Sequence, residues 1–151
     1  MVVYPATIKF DKEDSVYLVS FPGLKGCHTY GETLDEALEM AREALTVYLE
    51  SLFDRGLNLP EASKVKGRDV YLIEPDTSVQ IPIMLREGRK EEGLSQEEVA
   101  ARLKISYQAY QKLENPNKCN PTVKTLEKIA RAYDKSLFID LEKKKSYRKI
   151  A

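Results

Sequence analysis

The chain of 151 residues lacks the marks of several protein classes at once. No apolar run approaches the roughly 20 residues of a membrane-spanning helix, so no membrane segment is expected. The N-terminus carries no basic segment followed by an apolar core, so no signal peptide is expected. Cysteine is scarce: Cys27 and Cys119 lie far apart, in no CxxC and at no metal-ligand spacing. That excludes a disulfide framework and a zinc module, and points to a reducing cytoplasm. Histidine occurs once, at His28. No internal repeat or low-complexity tract is present, and nothing calls for a cofactor or a metal.

A 42% hydrophobic content supports a packed core, and the length suits one ordinary domain or two small ones. The formal net charge is zero, but the total hides an asymmetry. Residues 1–80 hold 8 Lys/Arg and 14 Asp/Glu, a net of −6; residues 81–151 hold 16 and 10, a net of +6. A basic half is the electrostatic footprint of a nucleic-acid binder. An acidic half suits a basic partner, or serves only solubility. Variation in solvated faces would give the same numbers, so motifs have to decide.

In the acidic half, Tyr4–Phe10 and Val16–Phe21 alternate and read as a hairpin around the polar turn Asp11-Lys12-Glu13-Asp14. After the loop Pro22–Gly26, Cys27–Tyr30 is a third short strand. Thr33 to Glu36 fits a capping box, Thr33 as N-cap and Glu36 reaching back. The helix behind it carries Leu34, Ala37, Leu38, Ala41, Leu45, Tyr48, Leu49 and Leu52 as one apolar stripe, with Gly56 as its stop. After a loop over Asn58–Gly67, Val70–Glu74 is a fourth strand. The order is β-β-β-α-β. One helix covers one face of such a sheet, which leaves the other face solvated or buried on a copy or a partner.

The basic half is helical. A helix starts between Ser78 and Pro82, with Pro82 in its first turn, and runs to about Glu92, where Gly93 stops it. Three or four short helices follow up to Tyr133. Leu137–Leu141 alternates like a strand, and the Lys-rich last ten residues are expected to fray. Within Gly93–Asn115, Ser95 to Glu98 is a second capping box that opens a helix to Leu103, with Val99, Ala100 and Leu103 inward. Lys104-Ile105-Ser106 is a tight turn with Ile105 as an apolar plug, and Ser106 caps a helix from Tyr107 to Glu114. Tyr110 and Leu113 face inward, leaving Tyr107, Gln108, Gln111 and Lys112 outside. Two short helices across a three-residue turn make a helix-turn-helix, whose second helix can enter the major groove. Glutamine can pair with adenine N6 and N7. Lys112 and Lys118 can neutralise phosphates, Asn115 can hydrogen-bond one, and Tyr107 can stack on or touch DNA. Gln96 stands at a helix N-terminus, where free N–H groups favour phosphate. A generic helical bundle with surface glutamines fits the same spacing.

LSQEEVAARLKIS, Leu113-Glu114-Asn115, Asn120-Pro121-Thr122 and Leu126 to Ala130 together resemble the lambda-repressor/Cro-type helix-turn-helix family over about residues 84–138. The resemblance implies a recognition helix at Tyr107–Glu114, with Gln96 and Asn115 on the DNA backbone. Three positions depart from the pattern. Lys104, Pro116 and Asp134 stand where glycine is common.

In the other half, Phe21-Pro22-Gly23-Leu24-Lys25-Gly26-Cys27, then Thr29, Gly31-Glu32-Thr33, Glu36-Ala37 and Ala41 to Leu45, resembles the HicB antitoxin family over about residues 1–75. The resemblance implies a truncated ribonuclease-H-like domain that binds a small RNA-cleaving toxin, HicA. It also implies a C-terminal DNA-binding unit that represses the operon. An RNA-cutting toxin needs a basic surface, which an acidic partner can cover. Asp11, Glu13, Asp14, His28 and the acids of the long helix are the residues placed to do so, though solvated turn acids would look the same.

An enzyme is not expected. Cys27 and His28 are adjacent on a strand and point to opposite faces, so they make no nucleophile–base pair. Cys27 reads as small core packing. No acid falls within residues 4–10 or 16–21, where a metal-dependent nuclease would need clustered carboxylates.

The expectation is therefore an α+β protein. It has a toxin-neutralising domain over 1–75, a linker and helix start over 76–83, a helix-turn-helix domain over 84–142 and a tail over 143–151. It would act without enzymatic activity as an antitoxin and autorepressor. Its partners would be a small basic ribonuclease and double-stranded operator DNA, and its state a homodimer or homotetramer. A repressor whose N-terminal domain senses a small ligand is the alternative.

Overall fold

The structure is a computed structural model that describes residues 2–141. The described chain divides into two compact units at the step from Asp76 to Thr77.

In the first unit, β1 (Tyr4–Asp11), β2 (Val16–Ser20), β3 (His28–Gly31) and β4 (Val70–Ile73) form one antiparallel sheet in the order β3-β2-β1-β4. Alternation assigns the faces. Tyr4, Ala6 and Ile8 of β1 share a face with Val19 of β2, Gly31 of β3, and Tyr71 and Ile73 of β4, all buried. Helix α1 (Leu34–Asp54) packs on that face with Ala37, Leu38, Ala41, Leu45, Leu49 and Leu52 buried. Thr33 Oγ1 accepts from the Glu36 amide at 3.1 Å. Glu36 reaches one residue further than a strict capping box, taking the Glu32 amide at 2.8 Å. Gly31 is required by proximity: a Cβ there would lie 2.4 Å from the Ala37 nitrogen. Gly56, at φ 65, ends the helix.

The third strand starts one residue later than the alternation predicted. Cys27 belongs to the preceding turn, where its amide donates to the Leu24 carbonyl. It is buried as expected, and burial pushes its thiol up to about 11, which leaves it unreactive.

The second unit contains α2 (Thr77–Glu91), α3 (Gln96–Leu103), α4 (Tyr107–Leu113) and α5 (Val123–Ala132). Leu85, Val99, Ala100, Tyr110, Ile129 and Tyr133 form its core, flanked by Leu94, Leu103, Leu113 and Leu126. Three sequence expectations fail here. Helix α2 begins at Thr77, so Pro82 is its sixth residue and lies inside it, fully buried. Proline removes the amide bond back to residue 78, but its ring supplies apolar surface on the buried side that also carries Val79, Ile83 and Leu85. Ile105 is 38% exposed and stands outside the core of the unit. The turn is fastened by its backbone instead, the Ile105 amide donating to the Ala100 carbonyl at 3.0 Å. Leu137–Leu141 is not a strand: it has no ladder partner among the described residues, and alternation alone cannot satisfy a strand's backbone. Phe138 and Leu141 are 86% and 94% exposed. The Lys-rich tail over 143–151 lies outside the described residues.

Candidate nucleic-acid interface

The α3–α4 pair is built by its caps. Ser95 Oγ accepts from the Glu98 amide and Glu98 Oε2 accepts from the Ser95 amide at 2.7 Å, a complete capping box. Lys104 closes α3 in the left-handed region, at φ 57 and ψ 42. A lysine there costs more than glycine, yet its amide still caps onto Ala101. Asp134 takes the same conformation after α5. Pro116 does not: α4 ends without a left-handed residue, and the Asn115 carbonyl instead accepts the amides of Lys118 and Cys119.

Around this frame Gln108, Gln111 and Lys112 are exposed on α4, as is Lys118 in the following turn, and Tyr107 is half-buried. Ser106 Oγ accepts from the Ala109 amide as the N-cap. Asn115 Oδ1 accepts from the Asn117 amide. Gln96 is turned toward α4: its Nε2 donates to Glu114 Oε2 at 2.8 Å, and its Oε1 accepts from the Tyr107 hydroxyl at 3.2 Å.

The residue that sequence reasoning missed is Glu114, the buried acid of the second unit's core. Arg89 grips it bidentately, Nε to Oε1 at 2.6 Å and Nη2 to Oε2 at 3.0 Å, and Nη1 donates to the Leu94 carbonyl. The Tyr110 hydroxyl donates to Glu114 Oε1 at 2.7 Å. Tyr133 places its hydroxyl against that of Tyr110 and 3.1 Å from the Leu85 carbonyl. Gly88 leaves room for the Tyr133 ring, which a Cβ would meet at 3.2 Å. Burial alone would push the Glu114 carboxyl up, but hydrogen bonds from Arg89, Tyr110 and Gln96 outweigh it and hold it below the usual carboxylate range. The hydrogen bond to Glu114 raises Arg89 in turn. Burial pushes the Tyr133 hydroxyl up to about 12. The signal was an acid inside Leu113-Glu114-Asn115, next to an inward leucine; its partner stands 25 residues upstream.

The first unit offers a different surface. Helix α1 carries Asp35, Glu36, Glu39, Glu43, Glu50 and Asp54 against a single base, Arg42. Asp11, Glu13 and Asp14 sit at the hairpin tip, where Asp11 Oδ1 accepts from the Glu13 amide. His28 is exposed on the open face of the sheet, which Asp11 also faces, but it pairs with Ser20 at the far end of β2. Four residues of strand, roughly 13 Å, separate the two ends. The structure therefore groups the three acids and sets His28 apart. A groove of about 340 Å³ beside α1, lined by Glu39, Met40, Arg42, Glu43, Thr46, Val47 and Asp76, is open to solvent. Among the described residues no helix is long and apolar enough to cross a membrane, and no three or more His, Cys, Asp or Glu side chains are placed to hold a metal ion.

An antiparallel sheet with one helix, followed by capped helices across a three-residue turn, defines a helix-turn-helix protein with a separate α+β domain. Residues 4–85 match the model of the HicB-like antitoxins of bacterial toxin–antitoxin systems, and residues 85–139 match a helix-turn-helix model. The chain belongs to the HicB-like antitoxin family. It is 29% identical over 139 residues to Antitoxin HicB 1 of Photorhabdus laumondii, covering 92% of this chain and 86% of that one. It is 31% identical over 100 residues to Antitoxin HicB of Escherichia coli K12, covering 66% and 71%. The N-terminal domain of Burkholderia pseudomallei HicB, a crystal structure, is 29% identical over 50% of this chain and 99% of its own, with a TM-score of 0.44.

Proposed function

We propose that this protein is a non-catalytic antitoxin that binds and inhibits a HicA-like mRNA-cleaving toxin through residues 1–75 and represses its own operon through residues 84–142. The observation that carries the reading is the pairing, in one chain of the HicB-like family, of an acidic α+β unit with a helix-turn-helix that exposes Gln108, Gln111 and Lys112. A basic toxin surface made for RNA phosphates is complementary to the acids of α1 and of the hairpin tip, Asp11, Glu13 and Asp14, with His28 as a further contact. On operator DNA, Gln108 and Gln111 read bases and Tyr107 stacks on or touches the duplex. Gln96, Ser106, Lys112, Asn115 and Lys118 hold the backbone. The cytoplasm, where both partners reside, is its place of action.

Two recognition helices of a dimer would meet half-sites about one helical turn apart. The exposed Leu137–Leu141 segment is the proposed contact between copies, since strand pairing would supply the ladder it lacks alone. A second contact through the α+β units would give a tetramer. Deleting residues 136–151 is expected to halve the mass seen by light scattering; an intact assembly would remove this contact.

The test of the main reading is co-expression with the product of the adjacent gene. Rescue of growth and a complex that co-purifies are expected. A neighbour that is neither toxic nor bound would overturn the reading.

A further inference from the structure

The helix-turn-helix surface carries a chain of hydrogen bonds whose direction is set from the inside. It runs from Arg89 to Glu114, to Gln96, to Tyr107 and out to Gln111. Glu114, held as a carboxylate by Arg89 at 2.6 Å, can only accept. Gln96 must therefore turn its NH₂ group inward, Nε2 lying 2.8 Å from Glu114 Oε2. Its carbonyl oxygen is then the atom that meets Tyr107, and the tyrosine hydroxyl must spend its one proton there, at 3.2 Å. The Tyr107 oxygen is left as an acceptor, which Gln111 can satisfy only with its own NH₂ group, at 3.3 Å. Each link removes the freedom of the next. At the exposed end, the Gln111 amide is fixed with its nitrogen toward Tyr107 and its carbonyl oxygen left over.

An amide side chain is ordinarily ambiguous, because a rotation of its last torsion exchanges donor for acceptor. Here a turn of Gln111 would set two oxygens together at the Tyr107 hydroxyl, and a turn of Gln96 would set its oxygen against the buried carboxylate. Unpaired, such a contact costs more than a solvent-exposed glutamine gains by turning.

Resting on the DNA-binding reading above, we infer that Gln111 is a specificity-determining residue whose carbonyl oxygen reads an exocyclic amino group in the major groove, and that Glu114, Gln96 and Tyr107 are the positioning residues that point it. The amino groups presented there are N6 of adenine and N4 of cytosine; guanine O6 and thymine O4 are acceptors and offer that oxygen no proton. The second N–H of Gln111 Nε2 can meet adenine N7, which makes adenine the better fit.

The experiment selects duplexes of about three helical turns from a library with a randomised core, using the full-length chain and its Tyr107→Phe variant side by side. Phenylalanine keeps the ring and removes the hydroxyl, so circular dichroism and melting should match the parent. The parent is expected to prefer an A·T pair in one orientation over a G·C pair at one position per half-site by about tenfold, and the variant to lose most of that preference at that position alone. Gln111→Glu, which offers only acceptors, is expected to shift the same pair toward cytosine. Identical profiles for the parent and Tyr107→Phe, a parent preference for G·C over A·T at every pair that responds to Gln111→Glu, or an equal loss at all pairs would overturn the inference while leaving DNA binding intact. Selection of no duplex at low salt would overturn the DNA-binding reading and this inference with it.

Discussion

The two units solve the problem of a small core in opposite ways. The sheet-and-helix unit buries apolar side chains and, at Gly31, brings two backbones together with nothing between them. The helical unit has shorter elements and builds an ion pair and two phenols into its interior, with a half-buried glutamine amide on the carboxylate. Burying charge is seldom the most stable choice, since apolar residues of the same volume often do as well. What the ion pair adds is direction: it orients Gln96 and Tyr107 and ties α2, α3 and α4 to the surface proposed to read DNA. The contrast teaches that one unit is built for shape and the other for the pointing of side chains.

The largest effect should come from breaking the pointing. Glu114→Ala leaves Arg89 buried without its partner and is expected to cost the helical unit about 3–5 kcal/mol, with the sheet unit unchanged. Hydrogen exchange resolved along the chain measures both; equal losses in the two units would erase the contrast. Acid sharpens the same point. Glu114 is below the usual carboxylate range when folded, so its contribution is complete above the ordinary value of 4.5 and drains away as pH falls from there through its folded value. The helical unit of the parent should therefore open progressively in that window, and that of Glu114→Gln should show less of this dependence. Breaking the shape is next. Gly31→Ala forces a methyl group against the Ala37 backbone and is expected to cost the sheet unit about 1–3 kcal/mol. An unchanged melting temperature would mean that α1 and β3 can part freely. The smallest effect is on the surface: Lys112→Ala should lower the slope of log affinity against log salt by about 0.9 without altering either core. An unchanged slope would show that Lys112 meets no phosphate.

Much of this was legible where the physics is local. The stripe from Ala37 to Leu52, the caps at Thr33, Ser95 and Ser106, the stops at Gly56 and Gly93, and the exposed row on α4 all follow from neighbours within a few residues. What depends on distant partners was not legible. Arg89 finds Glu114 across 25 residues, and no spacing rule predicts that pair. The missing amide of Pro82 argues for the first turn, whereas the apolar side it shares with Val79 and Ile83 places it inside α2. The apolar side chain of Ile105 suggests a plug in the turn, but the turn is closed by its backbone. Leu137–Leu141 has the pattern of a strand and no partner within the described chain. Among the residues proposed to meet the toxin, sequence proximity grouped Asp11, Glu13 and Asp14 correctly in space. Only the strand register reveals that His28 lies at the other end of the sheet.

The central claim is that each unit carries one of two separable jobs. Its most direct measurement is the binding of the full-length chain to the adjacent gene product and to its own promoter, compared for the parent, for a variant with Asp11, Glu13 and Asp14 changed to lysine, and for Gln108→Ala. The account predicts that the lysine variant loses the toxin and keeps the promoter, while Gln108→Ala keeps the toxin and loses about 1–3 kcal/mol at the promoter but little on random DNA. A parent that binds neither ligand, or substitutions that weaken both together, would contradict it.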